Sequence, residues 1–130
     1  MKPLLCALFI LTALAASAAS AAEHEFAAIT QKELTEAIAA KSALVIDVNG
    51  SDSYKDGHIP TAIDFEAKEK QLAAVLPKDK QALIVAYCGS PQCPAWKQAA
   101  DAVSALGYTN VKHFVGGISG WVNSGAPVEK

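Results

Sequence analysis

The sequence predicts an α/β domain built on a small parallel sheet flanked by helices. Three observations carry that expectation. Two largely apolar runs, ALVIDV at 43–48 and QALIVAY at 81–87, lack the alternation of a half-exposed strand and suit strands buried on both faces. Helical patterns alternate with these runs along the chain. Polar turn residues close each run, and the chain contains no internal repeat and no interdomain linker.

The elements follow in order. FAAI at 26–29 is a short strand. Thr30 and Glu33 have the spacing of a capping box, and Leu34, Ala37 and Ile38 continue at helical spacing, which predicts a helix over 31–41. The strand at 43–48 runs into a loop at 49–53 and a second turn, GHIP, at 57–60. A helix over 66–75 ends before Pro77. The strand at 81–87 leads directly into Cys88. Pro94 suits a first helical position, where its missing N–H costs nothing, and Ala95, Ala99, Ala102, Val103 and Leu106 mark a helix that stops near Gly107. A short strand at 111–114, a short helix opening at Gly116 and a polar tail from Ser124 complete the chain.

The 130 residues are enough for one domain, expected at 23–130. Residues 1–22 read as a secretory signal peptide: Lys2, an apolar run from Leu4 to about Ala16, then small residues. The run is shorter than the roughly 20 residues a membrane-spanning helix needs. The expected location is therefore periplasmic or secreted, with no membrane partner after cleavage. Without Lys2, ten lysines face thirteen acidic residues, a net charge of about −3, and the chain contains no arginine. Nucleic acid is not an expected partner, because phosphate binding needs clustered Lys and Arg.

Beyond residue 22 only Cys88 and Cys93 remain, in the stretch YCGSPQCPAW at 87–96. Such a pair in an oxidising compartment fits a structural disulfide, a redox pair, a catalytic loop or a metal clip. A metal clip is poorly supplied, since His58 and His113 are scattered and tetrahedral sites want four ligands. No metal and no cofactor is expected. Cys88 stands at the carboxyl end of a buried strand, where open α/β sheets bind ligands. A loop wrapped back onto a helix N-terminus makes an anion nest that stabilises a thiolate.

VIDVNGSDSYKDGHIPTAIDF at 45–65 and AYCGSPQCPAWKQAADAVSALGYTNVKHFVGGISGW at 86–121 together resemble the single-domain rhodaneses, a sulfurtransferase family, over residues 26–126. The resemblance implies the rhodanese-like three-layer α/β fold. It also implies a sulfurtransferase in which Cys88 takes sulfane sulfur from a small sulfur-containing anion such as thiosulfate. The persulfide sulfur then passes to cyanide, a thiol or a protein thiol. The implied substrate-binding loop is Cys88, Gly89, Ser90, Pro91, Gln92 and Cys93, whose six-residue length is the one associated with sulfur rather than phosphate. Family loops often carry arginine; here Gly89 and Cys93 stand at those places, and Asp47-Val48-Asn49 replaces Asp-x-Arg, so thiosulfate turnover is expected to be weak.

Cys93 is expected to act with Cys88. Beginning and ending one tight loop, the two are close enough for Cys93 to attack the sulfur of a Cys88 persulfide, expel sulfide and leave a disulfide. Two rival functions stay open on sequence: a thiol–disulfide redox protein using the same pair, and a non-catalytic persulfide carrier. His58, His113 and Trp121 are expected to be structural, Lys97 to lie on a solvated face, and the Ser90 side chain to be as ready to contact an anion as not.

Overall fold

The structure, a computed structural model, describes residues 25–130, so the expected signal peptide lies outside the described residues. Five parallel strands form one sheet in the order β1-β5-β4-β2-β3. They are β1 (Ala27–Ala28), β2 (Ala43–Asp47), β3 (Ile63–Asp64), β4 (Leu83–Tyr87) and β5 (Val111–His113). The two apolar runs are the middle of the sheet: β2 and β4 pair in register from Ala43 opposite Leu83 to Asp47 opposite Tyr87.

Alternation along β4 divides the core into two layers. Ile84 and Ala86 join Ile46 and Val111 beneath Ala99, Ala100 and Val103 of helix α5 (Trp96–Ala105). Val85 and Tyr87 join Val45 on the other face, with Leu34 of α1 (Gln31–Ala39) and Trp121 of α6 (Gly117–Asn123). This is the three-layer α/β arrangement expected. Helix α1 starts where its local signal places it: Glu33 N donates to Thr30 Oγ1 at 3.2 Å, and Thr30 N donates to Glu33 Oε2 at 2.9 Å.

Several elements depart from the sequence expectation. Helix α1 ends at Ala39, not 41, because Lys41 takes a left-handed conformation with φ 54°. The expected loop at 49–53 instead gives way to helix α2 (Ser51–Asp56). Its N-terminus is satisfied by distant carboxylates: Ser51 N donates to Glu66 Oε2 and Ser51 Oγ to Asp64 Oδ2, both at 2.6 Å. Strand β3 was not expected at all, since two residues carry no periodicity. The helix expected at 66–75 is broken into α3 (Phe65–Lys68), a 3-10 turn (Glu69–Gln71) and α4 (Leu72–Val75). Helix α5 begins at Trp96 and not at Pro94, because the chain first winds through tighter bonds from Lys97 N to Pro94 O and from Gln98 N to Ala95 O. The polar tail folds back, and Glu129 exchanges backbone hydrogen bonds with His58 at 2.9 Å in each direction.

One buried polar cluster sits at the carboxyl ends of β2 and β4. Tyr87 Oη donates to Asp47 Oδ2 at 2.5 Å and accepts from Ile59 N at 3.0 Å, while Asn49 N donates to Asp47 Oδ1 at 2.7 Å. Burial pushes the Asp47 carboxyl up, and the Tyr87 and Asn49 hydrogen bonds pull it back. Burial and the neighbouring Asp47 charge push the Tyr87 hydroxyl up, so Tyr87 remains a donor. Tyr87→Phe strands a buried carboxylate oxygen and the Ile59 N–H, and is expected to cost about 2–4 kcal/mol. Urea unfolding measures it; a loss indistinguishable from zero would show that the cluster does not hold the strand ends.

Candidate functional site

Cys88 follows β4 directly, at the carboxyl edge of the sheet and only 1% exposed. The chain then loops through Gly89, Ser90, Pro91, Gln92 and Cys93 before winding into α5. Gly89, Ser90 and Cys93 are half-buried, and Pro91 and Gln92 are exposed. The loop thus brings together all six residues the sequence singles out. Cys88 and Cys93 are joined by a disulfide with their Cα atoms 6.3 Å apart, within the usual range for such a bond. Cys88 Sγ also lies 3.2 Å from the Cys93 carbonyl oxygen.

Inside the loop, Cys93 N donates to Ser90 O at 3.1 Å. The amides of Gly89, Ser90 and Gln92 donate to no acceptor among the described residues. Pro91 has no N–H to offer. The loop thus keeps three backbone donors without an acceptor among the described residues, just ahead of the N-terminus of α5.

The loop is held from below by α6. Ile118 N donates to Cys88 O at 2.9 Å, and Ser119 N to Gly89 O at 3.0 Å. This contact depends on Gly117. A Cβ there would fall 2.5 Å from Cys88 O, 2.8 Å from Gly89 C and 2.9 Å from Ser90 N, and its φ of +61° disfavours other residues. The GG-x-x-GW pattern was visible in sequence, but that one of its glycines is the floor of the cysteine loop was not.

A cavity of about 340 Å³ adjoins the loop, lined by Val48, Asn49, Gly50, Phe65, Glu66, Glu69 and Gln98. It is close to the loop because Asn49 Oδ1 lies 3.4 Å from the position a Cβ of Gly89 would take. Its walls carry two carboxylates and no lysine. Sequence reading singled out Val48 and Asn49 but passed over Glu66, Glu69 and Gln98, which come from α3, the 3-10 turn and α5 and share no motif. A second cavity, about 330 Å³, lies between the end of α5 and the start of β5, at the far edge of the sheet from the cysteines.

The remaining candidates have structural surroundings. Lys97 Nζ pairs with both carboxylate oxygens of Asp101 at 3.0 and 2.8 Å, away from the role of an anion clamp. His58 is buried and stacked on Tyr54 at 3.7 Å between ring centroids, and its Nδ1 lies 2.8 Å from Tyr54 O. Trp121 is 2% exposed and donates from Nε1 to Pro127 O at 2.7 Å. His113 is buried, stacks on Trp96 at 3.6 Å, and its Nε2 has no hydrogen-bond partner among the described residues. Burial pushes the His113 imidazole below the ordinary histidine range.

A protein-family model for the rhodanese-like domain matches residues 30–124. YibN of Escherichia coli is 29% identical over 103 residues, covering 77% of this chain and 70% of its own length. A rhodanese-related protein from Thermoplasma volcanium superposes with a TM-score of 0.63 at 25% identity, over 80% of this chain and 98% of that one. A human single-domain sulfurtransferase, TSTD1, shares the fold with a TM-score of 0.60 at 20% identity, over 74% and 95% of the two chains.

Two outcomes test this geometry. Gly117→Ala is expected to destabilise the fold by about 2–5 kcal/mol, from the left-handed backbone and the overlap with the loop. Gly120→Ala, with nothing within 4 Å of its Cβ position, is expected to be near neutral. Equal melting temperatures for the two variants would refute the floor assigned to Gly117. For His113 the linkage sign is definite: a lowered folded pKa means the unfolded chain binds more protons below about pH 6.5, so stability falls as pH falls through that range. His113→Phe keeps an aromatic ring against Trp96 and removes the titration. Its stability relative to wild type should therefore rise between pH 7.5 and pH 5.5, and an unchanged difference would contradict the assignment.

Proposed function

The chain belongs to the rhodanese-like family, and from that premise we propose that it is a sulfurtransferase carrying sulfane sulfur on Cys88. One observation carries the reading. Cys88 is seated at the carboxyl end of the central strand, in a six-residue loop whose free amides and following helix suit a thiolate or persulfide. In the reduced state, the Cys88 thiolate attacks the outer sulfur of a thiosulfate-like donor. The donor S–S bond breaks, sulfite leaves with the electron pair, and Cys88 holds a persulfide. Cyanide or a thiolate then attacks the terminal sulfur and restores the Cys88 thiolate.

Cys93 offers a second exit. Its thiolate attacks Cys88 Sγ, hydrosulfide leaves, and the two cysteines form the same disulfide that joins them in the structure. The loop is so short that its closure contributes only about 2 kcal/mol in the chain-entropy account. That modest contribution favours a chemical over a purely structural role. The disulfide also supports the alternative reading, a thiol–disulfide redox protein that uses no sulfane sulfur. Thiosulfate itself is a poor fit: no arginine serves the loop, and Glu66 and Glu69 line the adjoining cavity. Export to the periplasm or beyond, where an oxidised pair persists, belongs to the same proposal.

The test is sulfur transfer by the reduced protein. Thiocyanate formed from thiosulfate and cyanide is expected to be slow but to depend on Cys88, with Cys88→Ser reduced to background. Thiocyanate formation by Cys88→Ser at the wild-type rate would overturn the reading. After thiosulfate loading, Cys93→Ser should retain persulfide while wild type releases sulfide. An equally stable persulfide on both would remove Cys93 from the chemistry.

A further inference from the structure

The two ends of the Cys88–Cys93 disulfide are not equivalent. Cys88 is 1% exposed, with the end of β4 behind it and its carbonyl tied to α6 through Ile118 N. Cys93 is half-buried and lies between exposed neighbours, Gln92 and Pro94. Thiol–disulfide exchange is an in-line displacement: the attacking thiolate approaches one sulfur from the side opposite the sulfur that leaves. Buried Cys88 offers an attacking thiolate little room, whereas half-buried Cys93, between two exposed residues, is the more accessible end.

The leaving group points the same way. Exchange is faster when the departing sulfur is the better-stabilised thiolate. Attack at Cys93 expels Cys88, the sulfur at the carboxyl end of β4 that the sulfur-transfer reading makes the thiolate nucleophile. Attack at Cys88 would expel the more exposed Cys93 instead. Access and leaving-group stability therefore select the same direction.

We propose that Cys93 is the cysteine through which an external dithiol reduces this site, with Cys88 released as the thiolate. In the first step a reductant thiolate bonds to Cys93 Sγ, the Cys88–Cys93 bond breaks, and its electron pair stays on Cys88. In the second step the reductant's other thiol, deprotonated, attacks its own sulfur in the mixed disulfide. The reductant becomes a disulfide and Cys93 leaves as a thiolate. Two electrons pass from the dithiol to the cysteine pair. The inference deepens the sulfur-transfer reading, because the thiolate set free is its nucleophile. It also places a dithiol-supplying reaction after each turnover that ends in the disulfide. The exchange itself needs no sulfur donor.

The experiment uses the oxidised wild-type protein and glutathione as the probe thiol. Samples are acid-quenched at successive short times, free thiols are blocked with N-ethylmaleimide, and the tryptic peptide spanning 81–97 is fragmented. Fragment ions between residues 88 and 93 locate each group. The expected species carries glutathione on Cys93 and maleimide on Cys88, at least ~10-fold over the reverse arrangement, given the dependence of exchange on access and leaving group. Glutathione found mainly on Cys88, or equally on both, overturns the inference. So does a disulfide that neither glutathione nor dithiothreitol opens without denaturant. Failure of thiocyanate formation in the reduced protein would strike the sulfur-transfer reading and leave this mapping intact, so the two can fail separately.

Discussion

The carbonyl oxygens of Cys88 and Gly89 accept hydrogen bonds from Ile118 and Ser119, and the cysteine loop depends on that contact. A loop leaving a central strand must satisfy its backbone without a sheet partner. Here α6 supplies the partners, and it approaches closely enough only because Gly117 has no Cβ to strike Cys88 and Ser90. The result is a backbone held from beneath by its carbonyls, with the amides of Gly89, Ser90 and Gln92 given no acceptor among the described residues. Those amides form the polar resource of the site.

A second constraint acts one residue earlier. Tyr87 bridges Asp47 on β2 and the amide of Ile59 in the GHIP turn, so the ends of two strands and an adjacent turn are locked together. The next residue in sequence is Cys88, which opens the loop. The anchored strand end and the exposed Pro91–Gln92 tip of the loop are therefore only a few residues apart in the chain.

The electrostatic character of the site separates it from an ordinary anion clamp. The N-terminus of α5 follows the loop, Lys97 in its first turn is paired with Asp101, and the chain has no arginine. The adjoining cavity adds Glu66 and Glu69. The two carboxylates of that cavity disfavour a multiply charged anion beside them.

Much of the fold was legible in the residues. Uniformly apolar runs identified β2 and β4, the Thr30–Glu33 box located the start of α1, and the end of the second run placed Cys88 at the carboxyl edge of the sheet. These are local signals, written within a few residues of where they act. Helix α2 was not legible, because its N-terminus is satisfied by Glu66 and Asp64 from a later segment. The fold-back of Glu129 onto His58 and the cavity beside Gly89 were hidden for the same reason, while the later start of α5 turns on a local choice of tighter bonds at Pro94 and Ala95. The sequence by itself determined the fold class, the paired cysteines and the absence of arginine. Only the tertiary structure decided that one cysteine is buried and the other half-buried, since burial depends on what packs around the end of β4, including α6 from nearly thirty residues away.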